Sequence, residues 1–308
     1  MPETTPAIDV QHLGHAYAQR RALADVTFTV NSGEIVGLLG PNGGGKTTLF
    51  RILATLLRPS EGDARILGRS VIADPDGVRR ALGVVFQRPS LDLKLTVREN
   101  LTHHGHLYGL SGGELKRRCD AMMAALGIAD RAGDRVESLS GGLQRRAELA
   151  KGLLHRPSVL LLDEPNTGLD PNARREFLNH LETRRQNDGV TILLTTHFME
   201  EAERCDRVGI LHEGKLVAFD KPTRLKSSIG GDVVVIECRE PDSMAAQIRK
   251  NFSIDATVVN GSLRIETPGG HRFVSQVVET FRDEITSVTW GQPTLDDVFV
   301  HLTGRRLA

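Results

Sequence analysis

Four short apolar runs interrupt an otherwise mixed pattern of polar and apolar residues along the chain. Each run spans four or five positions and ends at polar or glycine residues: 35–39, 82–86, 159–162 and 190–194. Runs of this kind are typical of parallel strands that are buried on both faces of a sheet. The pattern therefore predicts an α/β domain in which polar side chains follow the strands, where open α/β sheets bind their ligands.

The segments between these runs show two other patterns. Residues 8–10 and 26–30 alternate apolar with polar positions, which predicts half-exposed antiparallel strands, and residues 64–68 predict a further short strand. Helical periodicity fills the region from 88 to 155. We interpret this region as an all-helical insertion, with helices over residues 97–101, 115–126 and 144–154.

The pattern changes again from about residue 228, where predicted strands and helices follow in the ferredoxin-like order β-α-β-β-α-β. They cover residues 232–238, 242–252, 254–259, 262–267, 271–281 and 285–290, with a hairpin turn at Asn260-Gly261. A last helix covers residues 293–302, with Thr294 as its cap. The sequence thus predicts two domains, 1–227 and 228–308. The second shows no cluster of catalytic residue types, so we expect a regulatory or dimerisation module.

Composition narrows the class of protein. The chain of 308 residues has room for two domains, and its 39 basic and 39 acidic residues give a formal net charge of zero. This balance offers no electrostatic argument for binding nucleic acid or an anionic membrane. The three cysteines are widely spaced, which favours reduced thiols in a cytosolic protein. The sequence predicts neither a secretory signal nor a transmembrane run, so we expect any membrane role to need a partner chain.

The stretch 40–48 reads G-P-N-G-G-G-K-T-T and lies between a predicted strand and a predicted helix. In that context G-x-x-x-x-G-K-[ST] is a phosphate-binding loop, because its glycines let backbone N–H groups converge on an anion at a helix N-terminus. We expect Lys46 to reach the β- and γ-phosphates and the Thr47 hydroxyl to bind Mg²⁺. The predicted nucleotide-binding residues are Gly40, Pro41, Asn42, Gly43, Gly44, Gly45, Lys46, Thr47 and Thr48.

Polar side chains follow the other three buried runs. Gln87 follows the second run, Asp163 and Glu164 follow the third, and His197 comes shortly after the fourth. Two carboxylates at the tip of a buried strand are costly unless a cation lies beside them, and a Mg²⁺–nucleotide would supply one. Taken singly, Gln87 and His197 fit ordinary loop residues. Together with the phosphate loop, these four side chains predict one site at one edge of one sheet.

Two further features leave alternatives open at this point. Tyr17 lies in a predicted turn that ends at Arg21, and it would either stack on a base or pack against the protein. The tetrapeptide L-S-G-G occurs at residues 110–113 and again at 139–142. Each copy predicts the start of a helix with its serine as the N-cap.

The order of these motifs resembles that of the ATP-binding subunits of ABC (ATP-binding cassette) transporters, over residues 8–221. Residues 40–48 are similar to the Walker A motif, with Gly44 where alanine is commoner, and residues 159–163 resemble the Walker B strand, with Glu164 as the adjoining carboxylate. The resemblance implies an α/β fold of the P-loop NTPase class. Its RecA-like core would carry an antiparallel β subdomain and a helical subdomain.

The resemblance also implies roles for single residues. Tyr17 matches the aromatic side chain that stacks on adenine, and residues 165–170 match the D-loop region, with Asn166 where serine or threonine is usual. Asp170 would contribute to nucleotide binding. The implied catalytic residues are Glu164, His197 (the switch histidine) and Gln87 (the Q-loop glutamine), and the implied Mg²⁺ ligands are Thr47, Gln87 and Asp163.

The L-S-G-G copy at residues 139–142 resembles the family's signature motif, because it lies one helix before the Walker B strand. The copy at 110–113 is followed by another helix and a loop, so we interpret it as a helix start only. Leu143 stands where the family usually has glutamine, with Gln144 one place later. The implied contacts to ATP from this motif are Ser140, Gly141 and Gly142.

The resemblance implies ATP and Mg²⁺ as cofactors, a second ATPase copy in a head-to-tail dimer, and a separate transmembrane permease chain. The compact insertion and residues 195–203 and 293–299 are similar to drug and antibiotic exporter ATPases. We therefore expect export of a drug, antibiotic or lipid-like molecule. The chain would be cytoplasmic and would lie on the inner face of the cell membrane through its permease.

Two other functions compete with transport. Non-transport ABC ATPases of translation or DNA repair usually carry two cassettes, a long coiled-coil insertion or zinc-binding cysteines, and the sequence predicts none of these. With a neutral net charge we expect no nucleic-acid partner. A regulatory module that binds nucleotide without turnover is the third reading, and Glu164 and His197 argue against it.

Overall fold

The computed structural model describes residues 5–88 and 90–305. The chain forms two compact units, one ending at Leu216 and the other beginning at Val217. The boundary after residue 227 that the sequence suggests lies inside the second unit, and that division stays a prediction.

The strands are β1 (Ile8–Tyr17), β2 (Arg20–Val30), β3 (Ile35–Leu39), β4 (Glu61–Ile66), β5 (Arg69–Ser70), β6 (Leu82–Val85), β7 (Val159–Asp163), β8 (Thr191–Thr196), β9 (Arg207–His212), β10 (Lys215–Asp220), β11 (Asp232–Cys238), β12 (Ala256–Val259), β13 (Ser262–Thr267) and β14 (Ile285–Gly291). The helices are α1 (Lys46–Leu53), α2 (Pro75–Ala81), α3 (Val97–Leu107), α4 (Gly112–Ala125), α5 (Gly141–Leu153), α6 (Pro171–Asp188), α7 (Met199–Glu203), α8 (Pro222–Ser227), α9 (Pro241–Phe252), α10 (Gly270–Thr280) and α11 (Leu295–Thr303).

The central sheet has the strand order β10-β9-β3-β8-β7-β6. Its strands β9, β3, β8, β7 and β6 pair in parallel. All residues of β3, β7 and β8 are buried, as continuous Val, Leu and Ile runs require. The four predicted apolar strands are thus confirmed. Because they run in parallel, the side chains that follow them meet at one edge of the sheet.

An antiparallel sheet, β2-β1-β4-β5, belongs to the same unit. Strand β1 is much longer than the predicted residues 8–10, and its pairing with β2 shifts register after Val10 and again after Leu13. Tyr17 is the last residue of β1 and pairs with Arg20, so the predicted turn is present but is confined to residues 18–19 and does not reach Arg21. Irregular pairing breaks the alternation of apolar and polar positions, which is why the pattern missed residues 11–17 of this strand.

The helical region is confirmed, with α3, α4 and α5 where periodicity predicts helices. The two L-S-G-G copies behave differently at their helix starts. The Ser140 hydroxyl accepts a hydrogen bond from the Leu143 N–H at 3.4 Å and caps α5. Ser111 is the N-cap residue of α4, as predicted, but within the described residues its side chain makes no capping hydrogen bond.

The second unit contains the antiparallel sheet β12-β13-β11-β14. Its core joins the sheet to α9 and α10 and consists of Val234, Ile236, Met244, Ile248, Leu263, Ile265, Phe273, Val277 and Phe281. The β12–β13 turn places Asn260 and Gly261 at φ 52° and 81°, as an Asn-Gly hairpin requires. Thr294 caps α11 through a capping box with Asp297. In both units, the helices of the described residues are too short or too polar to cross a membrane.

Candidate functional site

The loop between β3 and α1 has the shape that the phosphate-loop prediction requires. Gly45 has φ 106°, and a Cβ there would lie 2.6 Å from the Ala22 carbonyl oxygen. A Cβ on Gly40 would collide with the Leu211 carbonyl. Both positions therefore need glycine, and the backbone then turns directly into the N-terminus of α1.

Lys46 opens α1, and its side chain folds back into the loop with only 4% of its surface exposed. Its Nζ donates hydrogen bonds to the Gly40 carbonyl at 2.6 Å and the Pro41 carbonyl at 3.2 Å. It also lies 3.4 Å from Glu164 Oε1. The buried ammonium thus joins the loop to the strand end that carries the carboxylates, and it is placed where phosphate oxygens would meet a phosphate-binding loop.

A cleft of about 340 Å³ opens over the loop. Its lining brings together the predicted residues Tyr17, Pro41, Asn42, Gly43, Gly45, Lys46, Thr47, Thr48, Gln87 and Glu164. Tyr17 is 42% exposed and meets His15 edge to face at 4.7 Å, so its ring remains open to solvent. The sequence missed Arg20, which lines the same cleft and donates to the Gly43 carbonyl at 3.2 Å. No local pattern distinguishes this arginine from others on the surface.

Glu164 is the point at which the site residues converge. Gln87 Nε2 donates to its Oε2 at 3.0 Å, and His197 Nδ1 lies 3.7 Å from the same oxygen. Thr167, which the sequence missed, also donates to Oε2, at 3.3 Å. Glu164 has φ 45°, a left-handed conformation that is strained for a residue with a Cβ. Strain held in place by several contacts is typical of functional residues.

Asp163 lies beside Glu164 at the end of β7 and is 1% exposed. The Thr195 hydroxyl donates to Asp163 Oδ1 at 2.7 Å and accepts from the Glu164 N–H at 2.8 Å. Burial raises the pKa of the Asp163 carboxyl, while hydrogen bonds from Thr195 and Thr47 lower it. A buried carboxylate next to a threonine hydroxyl is an oxygen donor set that fits Mg²⁺.

The segment that follows Glu164 contacts another buried acidic residue, Glu201. Asn166 Nδ2 donates to Glu201 Oε1 at 3.0 Å, and each residue is 1% exposed. Burial raises the pKa of the Glu201 carboxyl. Glu201 lies in α7, four residues after His197, so this contact joins the D-loop segment to the helix that follows the predicted switch histidine. The asparagine that departs from the usual serine or threonine thus has a defined structural partner.

The signature residues lie elsewhere in this chain. Ser140, Gly141 and Gly142 line a separate cleft of about 440 Å³ together with Leu143 and Asp170. The Asp170 carboxylate caps α6 by accepting from the N–H groups of Asn172 and Ala173, both at 3.0 Å. The structure therefore places Asp170 beside the signature motif and away from Lys46.

Gln144 does not replace the glutamine that the family usually has at position 143. Its Nε2 donates to the carbonyls of Val136 and Leu139, both at 3.1 Å, so the amide serves the start of α5. Leu143 is the side chain that faces the signature cleft.

Comparison with known proteins places the chain in a family. A family model described as "ABC transporter" matches residues 23–167. The chain is 35% identical to the daunorubicin/doxorubicin resistance ATP-binding protein DrrA of Streptomyces peucetius, over 98% of this chain and 94% of that protein. It is 36% identical to the Nod factor export ATP-binding protein I of Rhizobium johnstonii, over 98% and 96%.

Among solved structures, one similar fold is a dimeric post-hydrolysis state of an ATP-binding cassette bound to ADP and Pi. The TM-score is 0.65 and the identity 27%, over 70% of this chain and 98% of that chain. The fold and the site define the class as a nucleotide-binding ATPase that has a phosphate loop and a carboxylate contacted by the other site residues. The chain belongs to the ABC transporter family, as one of its ATP-binding subunits, and it is an ATPase.

Proposed function

We propose that this chain is the ATP-hydrolysing subunit of an exporter that moves a drug, antibiotic or lipid-like molecule through a separate permease chain. The observation that carries this proposal is the convergence of Lys46, Gln87 and His197 on Glu164, which lines the cleft over the phosphate loop. The printed names of the relatives support the direction and the cargo class, since they describe drug resistance and export.

Each residue of the site would have its own role in ATP binding or hydrolysis. ATP would bind with its base against Tyr17 and its phosphates on the loop, where Lys46 would exchange the Gly40 and Pro41 carbonyls for phosphate oxygens. Glu164 would polarise the attacking water, because charge stabilisation alone does not activate a nucleophile. His197 would hold the γ-phosphate. Gln87, hydrogen-bonded to Glu164, would orient the carboxylate and the water.

Mg²⁺ would be held by the Asp163 carboxylate, the Thr47 hydroxyl and Gln87. The bound ion would neutralise charge on the β- and γ-phosphates. Burial raises the pKa of the Asp163 carboxyl, and a bound cation would favour its charged form.

A second copy would complete each site. The signature cleft lies apart from the phosphate cleft, so Ser140, Gly141, Gly142 and Asp170 would serve the nucleotide of a partner in a head-to-tail dimer. A two-fold axis makes both sites equivalent. Closure on ATP and reopening after hydrolysis would give the two states that a permease follows. The chain would then lie on the cytoplasmic face of the membrane.

The second unit would be a ferredoxin-like accessory domain. Strands β11, β12, β13 and β14 with helices α9 and α10 follow the order β-α-β-β-α-β, and the sheet order β12-β13-β11-β14 supports this class. We retain a regulatory or dimerisation role for it, within a domain that begins near residue 228.

A role in translation or DNA repair is not favoured, because the relatives are named for drug resistance and Nod factor export and the net charge is zero. Affinity purification from detergent-solubilised membranes separates the two functions. The tagged full-length chain should retain a polytopic membrane protein, and an unrelated tagged ATPase should not. Retention of ribosomes or DNA without any membrane protein would contradict the transport proposal.

A further inference from the structure

Three charged side chains on one face of α5 are buried where they meet the catalytic loops. Arg145, Glu148 and Lys151 are spaced by three residues, so they lie along one side of the helix. They are 7%, 1% and 9% exposed. Buried charges are costly unless every partner is in place, and an apolar helix face would stabilise the fold as well. The three charges therefore serve contacts that an apolar helix face would not make.

Arg145 donates to main-chain carbonyls on both sides of the phosphate cleft. Its Nη1 lies 2.8 Å from the carbonyl oxygen of Phe86, directly before Gln87. Its Nε lies 2.5 Å from that of Pro165, and its Nη2 lies 3.4 Å from that of Glu164. A guanidinium is a rigid planar fork with five donors, so it fixes several carbonyls relative to one another, whereas an ammonium acts as a point charge. Arg145 therefore fixes the distance between the segment that carries Gln87 and the segment that carries Glu164.

Glu148 and Lys151 hold the chain on the far side of Gln87. Glu148 Oε1 accepts from the Ser90 N–H at 2.6 Å and from the Ser90 hydroxyl at 3.1 Å. Lys151 Nζ donates to the Ser90 carbonyl at 2.9 Å and to the Ser90 hydroxyl. The segment that carries Gln87 is thus clamped to α5 both before and after the glutamine.

The same helix begins at the signature motif. Ser140 caps α5, and Arg145 lies five residues further along a continuous helix. In the proposed dimer, Ser140 would touch ATP bound to the partner copy, while Arg145 reaches the loops of its own site. One rigid element would therefore contact two nucleotides, one through its N-terminus and one through its buried face.

We propose that α5 is a rigid link between the two ATP sites: engagement of Ser140 by the partner's nucleotide sets, through Arg145, Glu148 and Lys151, the position of Gln87 and Glu164 in the helix's own site. This proposal rests on the proposed head-to-tail dimer. The three charged residues are positioning residues, since they act through Gln87 and Glu164.

A double-mutant cycle on the full-length chain tests the link. Arg145→Lys keeps the positive charge but loses the planar guanidinium. It should lower kcat about a hundredfold with little change in KM, because displacing an oriented group by about 1 Å usually costs that much. Ser140→Ala removes the trans contact. If α5 transmits that contact, the loss in the double variant is smaller than the product of the two single losses. Losses that multiply, or an unchanged kcat in Arg145→Lys, would overturn the proposal.

Two matched controls accompany the cycle. Arg118→Lys changes an arginine of the same helical region whose Nε pairs with Glu114 at 2.7 Å, and it should leave kcat unchanged. Ser111→Ala changes the other L-S-G-G serine and should also leave kcat unchanged. A loss in Arg118→Lys equal to that in Arg145→Lys would overturn the specific role of Arg145.

A further variant keeps the test decisive if Arg145→Lys does not fold, which circular dichroism would show. Glu148→Gln keeps an acceptor oxygen for Ser90 and removes the charge between Arg145 and Lys151. It should also lower kcat and should also be non-additive with Ser140→Ala; additivity would overturn the link. A Glu164→Gln chain that forms no dimer with ATP would instead overturn the proposed function itself, so the two failures are distinguishable.

Discussion

Glu164→Gln is expected to abolish ATP turnover while ATP binding is retained. The change preserves the size of the side chain and an oxygen that accepts from Gln87, which donates to Glu164 at 3.0 Å. It removes the charge that would polarise water. Loss of a general base costs about a hundredfold to ten-thousandfold in rate. Phosphate release under saturating ATP measures turnover, and equilibrium binding of labelled ATP measures affinity.

The same variant should accumulate as a dimer with ATP, because closure would no longer be followed by hydrolysis. Light scattering with and without ATP would detect the change in mass. Glu200→Gln is the matched control, since Glu200 is an exposed residue at the start of α7. The control should turn over normally. A monomeric Glu164→Gln chain with full activity would contradict the assigned role.

Lys46→Ala is expected to weaken nucleotide binding strongly. The Lys46 ammonium is buried beside Gly40, Pro41 and Glu164, and it is the cation positioned for the phosphates. Losing a charge-assisted hydrogen bond of this kind costs about 2 kcal/mol, or roughly thirtyfold in Kd. Titration calorimetry with ATP measures the change directly.

Lys94→Ala serves as the control for that experiment. Lys94 is exposed and pairs with Glu137 at 2.5 Å on the surface of the helical region. Its removal should leave the Kd for ATP unchanged. An unchanged Kd in Lys46→Ala would count against the phosphate-loop assignment.

The candidate site residues follow strong local signals in the sequence. Each buried strand is a continuous apolar run, and parallel strands end at the same edge of a sheet. Gln87, Glu164 and the phosphate loop therefore had to lie close together once the strands were identified. The structure confirms this, with all of them lining one cleft.

Residues that act through tertiary contacts left no such signal. Thr195 joins Asp163 to the Glu164 main chain, but in the sequence it is one threonine in an apolar strand. Arg145 is one of two adjacent arginines, and only the fold shows that it reaches the carbonyls around Gln87 and Glu164. Burial of a charge is decided by the packing of distant segments, so periodicity does not reveal it.

Secondary structure was missed where the local pattern was weak. Helix α6 is strongly polar, and its buried residues are Phe177, Leu178 and Leu181 alone among the described residues of that helix. Its start carried a usable signal, since Asp170 followed by Pro171 is an N-cap followed by a proline in the first turn. The two L-S-G-G copies are also identical in sequence. The sequence therefore did not show that the Ser140 side chain makes a capping hydrogen bond and that the Ser111 side chain does not.

The account's central claim is that each ATP site is shared between two chains. Lys46→Ala and Ser140→Ala chains with different tags can be coexpressed and purified through both tags, so that every dimer holds one chain of each kind. A head-to-tail dimer then has one site with both residues intact, so turnover should rise above that of either variant alone. It should stay below half the wild-type rate, because the α5 helix of that site carries the Ser140→Ala change. Mixed dimers no more active than either variant alone would contradict the shared site.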